Sequence, residues 1–166
     1  MPSKRPGDKR RPPDPILAAE RLLKIRPRSV SELRSRLLYK GFAADVIESL
    51  LDVFQKKRIL DDVAFASWWI TQRTTLRPTG SFRLTQELRK KGIDREVIDR
   101  VLAASGVNEG ERELAEAALR PRLDRLRKLP LLEQRKKIES FLLRRGFSRG
   151  VIYEIIHSWE GKRRFP

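Results

Sequence analysis

Three stretches of the chain carry the same order of apolar and polar positions around a glycine. They are ELRSRLLYKGFAADVIESLL about Gly41, RLTQELRKKGIDREVIDRVL about Gly92 and KIESFLLRRGFSRGVIYEII about Gly146, with the glycines 51 and 54 residues apart. Leu33, Leu84 and Ile138 correspond, as do Leu37, Leu88 and Leu142, then Phe42, Ile93 and Phe147, then Val46, Val97 and Val151, then Leu51, Leu102 and Ile156. Each of these positions is apolar in every copy. After each glycine the apolar residues recur at i, i+1, i+4 and i+5, as in Val97, Ile98, Val101 and Leu102, which marks a helix face and not a strand. Each copy therefore predicts a helical hairpin. The glycine sits where a helix ends in a left-handed residue, a conformation that costs least without a Cβ. Phe42 then falls at C″ and Leu37 at C3, the apolar pair of a Schellman turn, and Ile93 with Leu88 and Phe147 with Leu142 repeat it.

A further helical pattern precedes each hairpin: residues 15 to 25, opened by Asp14 and Pro15, residues 62 to 75 after Asp61, and residues 109 to 126, which Pro121 should kink or divide. Ser29 and Glu32 form a capping box for the second helix of the first copy, and Pro78 to Ser81 and Pro130 start the later ones. Asp94 and Ser148 stand where the third helices need an N-cap, whereas Ala43 offers no acceptor and predicts a weaker junction. The fold expected is all-α, a tandem array of three three-helix modules over residues 14–57, 58–104 and 105–160, elongated and curved, able to flex around 58–61 and 105–110. Residues 1–13, rich in Pro, Lys and Arg, and residues 161–166, after Gly161 as helix stop, are expected to be disordered basic tails.

Charge changes the picture from architecture to partner. Lys and Arg number 38 against 22 Asp and Glu, a formal net charge of +16, and 36% of residues are charged against the roughly 25% usual in globular proteins. Such a field attracts polyanions, nucleic acid first among them. With no Cys and a single histidine, His157, the sequence excludes disulfides, thiol catalysis and Cys or multi-His metal sites. No apolar run is long enough for a membrane span and no signal-peptide core follows Met1, so a soluble, cytoplasmic protein without membrane contact is expected. The Asp61, Asp62 pair is explained by helix capping, and no catalytic residue, metal or cofactor is expected.

The stretches ILAAERLLKIRPRSVSELRSRLLYKGF and ILDDVAFASWWITQR, then the helix starting at Gly80 and running into QELRKKGIDREVI, resemble the bacterial RecX regulators of the RecA recombinase. The resemblance covers residues 16 to about 156, and Arg145 replaces the lysine before glycine in the third copy. It implies a protein without enzymatic activity that binds the RecA filament. Binding would limit filament growth, ATPase and strand exchange in recombination, DNA repair and the SOS response. It also implies weak, nonspecific affinity for single- and double-stranded DNA. A monomer is expected.

Lys40, Lys91 and Arg145 share one repeated position at the end of the second helix, where a cation also complements the helix dipole. With Arg89 and Lys90, Lys91 makes the second module the densest basic edge, and Arg144 precedes Arg145 in the third. Arg34 and Arg36 face away from the Leu33, Leu37 stripe, and Arg73 and Arg77 flank a Thr-rich loop where an arginine could meet a phosphate. These ten residues are the candidate partner and DNA contacts. Trp68 and Trp69, about 100° apart on a helix, are expected to diverge, one of them toward a module interface or the surface. The alternative reading is a plain DNA-binding protein, sequence-nonspecific or with one hairpin as a helix-turn-helix. Asp94, Glu96 and Asp99 on the helix after Gly92 would face phosphates badly.

Overall fold

The computed structural model describes residues 14–164. The expected tail over residues 1–13 lies outside the described residues, as do residues 165 and 166. In order, the helices are α1 (Pro15–Ile25), α2 (Val30–Tyr39), α3 (Ala44–Lys56), α4 (Asp62–Leu76), α5 (Ser81–Lys90), α6 (Arg95–Ala104), α7 (Glu111–Leu119), a 3-10 turn (Arg120–Arg122), α8 (Leu123–Arg127), α9 (Leu131–Arg145) and α10 (Arg149–Arg164). There is no strand among the described residues.

The glycine turns form by the route their neighbours predict. Gly41, Gly92 and Gly146 have φ of 86°, 74° and 77°. In each, the glycine N–H and the next N–H close the helix end: Gly41 on Leu38 O (2.9 Å) and Phe42 on Leu37 O (3.3 Å), Gly92 on Arg89 O (2.9 Å) and Ile93 on Leu88 O (3.2 Å), Gly146 on Leu143 O (2.9 Å) and Phe147 on Leu142 O (3.2 Å). A fourth turn of this kind ends α3, where Arg58 takes the left-handed place at φ 55° and Ile59 N–H donates to Phe54 O at 2.9 Å. No glycine marks it, so the sequence pattern passes over it.

The chain divides into two compact units, one ending at Asp61 and the other beginning at Asp62. In the first unit α1, α2 and α3 enclose Ala19, Leu33, Leu37, Ile47, Leu51 and Phe54. Asp14 caps α1 through Oδ1, which accepts from Ile16 N–H at 2.8 Å, and Ser29 Oγ accepts from Glu32 N–H at 3.1 Å to start α2. The Glu32 carboxylate in turn takes both Nη atoms of Arg26 at 3.0 and 3.1 Å, tying the α1–α2 link to α2.

In the second unit, α4, α5 and α6 enclose Phe65, Ile70, Leu84, Leu88, Ile98 and Leu102, and α7, α9 and α10 enclose Ala115, Leu119, Ile138, Leu142, Phe147 and Ile155. Leu114 packs against both cores. Residues 105–110 join the two halves of this one compact unit, with Val107 buried in the α4–α6 core.

Local expectations are corrected at three places. Gly161 does not stop α10, whose backbone runs to Arg164; one interior glycine costs only about 1 kcal/mol against a helix already held by Ile152, Ile155 and Ile156 in the core. Asp94 stands at the N-cap of α6 without a side-chain capping bond, so it gives α6 no advantage over Ala43 at α3, and only Ser148 Oγ accepts, from Val151 N–H at 3.4 Å. Trp68 and Trp69 do not part company. Their rings flank the buried Phe65, with centroids 5.9 and 6.1 Å from its own, and both pack half-buried on the same core. Pro121 divides the α7–α8 segment, as its missing N–H requires.

Candidate nucleoprotein interface

The second unit is built on a contact between two helix ends. The α5 N-terminus meets the α9 C-terminus: Gly80 N–H donates to Arg145 O at 3.0 Å and Phe82 N–H donates to Gly146 O at 3.2 Å. Donors left over at the start of one helix thus satisfy acceptors left over at the end of another, and the positive end of one macrodipole meets the negative end of the other. The approach needs both glycines, since a Cβ on Gly80 would lie 2.3 Å from Gly146 O and one on Gly146 would lie 2.4 Å from the Arg83 backbone nitrogen. Beside it the buried Glu111 carboxylate accepts from Ser148 N–H at 3.2 Å and Ser81 Oγ at 3.4 Å, an anion at the starts of α10 and α5.

This junction gathers arginines from distant parts of the chain. Arg145 Nη1 donates to Pro78 O at 3.2 Å, and Arg83 Nη1 donates to Arg144 O at 2.7 Å. Burial first, then the positive fields of Arg77, Arg122, Arg83 and Arg73, hold the Arg145 guanidinium below its ordinary pKa. It stays charged, so like charges sit close together and an anion placed among them would relieve the repulsion. Phe141 holds two of these guanidiniums, with Arg122 Cζ 4.4 Å and Arg145 Cζ 5.2 Å from its ring centroid.

Next to it the Glu87 carboxylate binds Arg73 Nε at 2.6 Å, Arg83 Nε at 3.1 Å and Trp69 Nε1 at 3.1 Å. Burial pushes this carboxyl up, but the bonds from Arg73, Arg83 and Trp69 outweigh it and hold Glu87 below the usual carboxylate range. Lys91 Nζ lies 4.1 Å from the Trp69 centroid and Arg73 Cζ lies 5.1 Å from it.

The ten candidate contacts accordingly separate. Arg73, Arg77 and Arg145 come together at the junction, where Arg73 is spent largely on Glu87, and Arg144 enters it through its carbonyl, which accepts from Arg83. Arg89 and Lys90 are exposed at the end of α5, while Lys91 folds back over Trp69. In the first unit Arg36 and Lys40 are exposed beside an 87% exposed Tyr39, and Arg34 makes a two-pronged ion pair with Glu48 at 2.6 and 2.8 Å. Arg83 and Arg122, absent from the sequence reading, complete the junction. Arg83 follows the Gly80 start of α5 and Arg122 follows Pro121, so each lies beside a break the sequence marks, but their meeting depends on tertiary packing.

Among the described residues no group of three or more His, Asp or Glu side chains could hold a metal ion, and no helix is long and apolar enough to cross a membrane.

Three segments match the models of one family: residues 17–52 "RecX, first three-helix domain", residues 61–102 "RecX, second three-helix domain" and residues 109–156 "RecX, third three-helix domain". "Regulatory protein RecX" of Amycolatopsis mediterranei is 34% identical over 136 residues, 81% of this chain and 77% of that one. Its namesake in Pelodictyon phaeoclathratiforme is 33% identical over 135 residues, 81% of this chain and 82% of that one. A crystal structure of regulatory protein RecX superposes with a TM-score of 0.74 at 26% identity, covering 87% of this chain and 73% of that one. RecX from Lactobacillus salivarius shares the fold with a TM-score of 0.77 at 20% identity, over 88% of this chain and 94% of that one. With every module matched in order, the chain belongs to the RecX family of regulatory proteins.

Proposed function

We propose that this chain is a cytoplasmic, monomeric, non-enzymatic regulator of the RecA recombinase, mainly an inhibitor. It binds the RecA–DNA filament and limits its growth, ATPase and strand exchange during recombination, DNA repair and the SOS response. The observation that carries this reading is the match of all three modules, in order, to one family of regulatory proteins. The surface supports it. A net charge of +16 suits a polyanionic partner, and cations grouped at the α5 end, at the α5–α9 junction and at the α2 end provide contacts spread over several modules. Modules 14–57, 58–104 and 105–160 are the units through which such contacts combine.

Bare-DNA affinity in this reading is weak, independent of sequence and steeply salt-dependent, since it rests on phosphate neutralisation. A helix-turn-helix reading fares worse, because exposed Asp94, Glu96 and Asp99 line α6, the helix that would enter the groove. The deciding experiment measures DNA-dependent ATPase and filament extension of RecA on single-stranded DNA with increasing amounts of the chain. Inhibition at stoichiometry or below is expected. Untouched ATPase and growth, with DNA binding retained, would replace the regulatory reading with plain DNA binding.

A further inference from the structure

The third module holds an open pocket of about 340 Å³ between α7, the 3-10 turn, α8 and α9. Leu119, Leu126, Leu129 and Phe141 form its apolar wall, and Arg122, Arg125, Lys137 and Arg144 form its rim. No aspartate or glutamate is among its lining residues. The wall is preformed, because Leu119 and Leu126 are core residues and Leu129 and Phe141 pack against that core. The rim follows from two local features. The 3-10 turn that contains Pro121 leads directly from α7 into α8, so Arg122 at its end and Arg125 on α8 stand about one turn apart. On α9, Lys137, Phe141 and Arg144 recur at i, i+4 and i+7, one face of the helix. All four rim cations are exposed.

We propose that this pocket binds one nucleoside phosphate, with the base against the Leu119, Leu126, Leu129 and Phe141 wall and the phosphate on the cationic rim. A bare anion would have no use for the wall, and an apolar ligand none for four cations. The volume sits at the small end of the range for ligand pockets, roughly 300 to 1,000 Å³. The same chemistry is offered by a free nucleotide and by an unstacked nucleotide of single-stranded DNA, whereas a duplex hides its bases in the stack. This deepens the polyanion-binding part of the proposed function and rests on it.

The test uses the full chain and follows backbone amide resonances of Leu119, Phe141 and Arg144 on titration with dAMP, deoxyadenosine, inorganic phosphate and a short oligo(dT). dAMP is expected to shift all three and to bind at least tenfold more tightly than inorganic phosphate or deoxyadenosine, since only it engages both wall and rim. Displacement of oligo(dT) by dAMP assigns the pocket to single-stranded DNA, and tight dAMP binding without displacement assigns it to free nucleotide. The double variant Arg125→Ala, Lys137→Ala should weaken dAMP binding by roughly tenfold or more, as loss of charge-assisted contacts does. Ser140→Phe, which fills the pocket and keeps every charge, should weaken dAMP but not inorganic phosphate. A thermal melt confirms that each variant is folded. Equal binding of phosphate and dAMP, or dAMP binding unchanged in both folded variants, overturns the proposal. RecA inhibition by the same preparations is measured in parallel: retained inhibition with no nucleotide binding refutes the pocket alone, and absent inhibition refutes the regulatory reading whatever the pocket does.

Discussion

The turns at Gly41 and Gly146 share a backbone and differ in everything around it. Both glycines are left-handed, at φ of 86° and 77°, and both close their helix with the same pair of hydrogen bonds. A Cβ at Gly41 would meet nothing within 4 Å, whereas at Gly146 it would run into Arg83. One turn is a helix stop alone; the other is also the seat on which α5 docks. The repeat therefore preserves a local solution that the third copy has turned into a joint. This is why modules two and three form one body while the first module holds its own core. The repeated cation before the glycine diverges in the same way: Lys40 is exposed, while Arg145 is half-buried between Pro78 and Phe141.

Substitution at the two glycines gives the largest contrast. Gly146→Ala adds a backbone collision to the cost of positive φ and should lose about 3 kcal/mol or more, while Gly41→Ala bears only the φ term of roughly 1 kcal/mol. Thermal or urea melts of the two variants measure this, and equal losses would break the comparison.

Glu111→Ala comes next. It leaves the Ser148 N–H and the Ser81 hydroxyl without their buried acceptor, at a cost of about 1–3 kcal/mol. Because Glu111 joins the second and third modules, hydrogen exchange should rise at the starts of α5 and α10 and stay unchanged in α1 to α3. Uniform loosening of all helices would argue against a local joint.

Glu87→Gln sharpens the comparison through pH. The folded-state carboxyl lies below its ordinary value, so its contribution is complete above the unfolded value of about 4.3 and is lost as pH falls through the lower folded value. The variant should be less stable than the original near pH 7, and the gap should shrink on acidification below about pH 4. A gap independent of pH in denaturant titrations would show that the Arg73 and Arg83 bonds to Glu87 carry no net stability.

The smallest effect on stability is expected from reversing Arg89 and Lys90 to glutamate. Both are exposed, so the melt should move by no more than about 0.5 kcal/mol. Inhibition of RecA should nevertheless weaken, because the field at the α5 end is inverted. Lys91 is left in place, since its position over Trp69 would confuse packing with charge. Full inhibition by the folded variant would remove this edge from the interface and leave the junction arginines as the contact.

What could be read directly from the sequence is local. Apolar spacing sets which face of a helix is buried, and a glycine with its apolar neighbours sets where a helix stops; both act within a few residues, so the threefold hairpin and its Schellman bonds were legible before any coordinates. The charge balance likewise motivates the class of partner proposed above. Tertiary structure decided the rest, because those outcomes depend on residues 14 to 67 positions apart. Gly80 meets Gly146, Ser81 meets Glu111, and Arg145 meets Pro78 only once α9 is laid against the start of α5. Packing of α2 on α3 and of α4 on α5 likewise determines which cations stay exposed and which are consumed: Arg34 on Glu48, Arg73 on Glu87 and Lys91 on Trp69 look in sequence just like Arg36, Arg89 and Lys90. A residue's charge is written in the chain, but its partner is chosen by what folding brings within hydrogen-bonding distance.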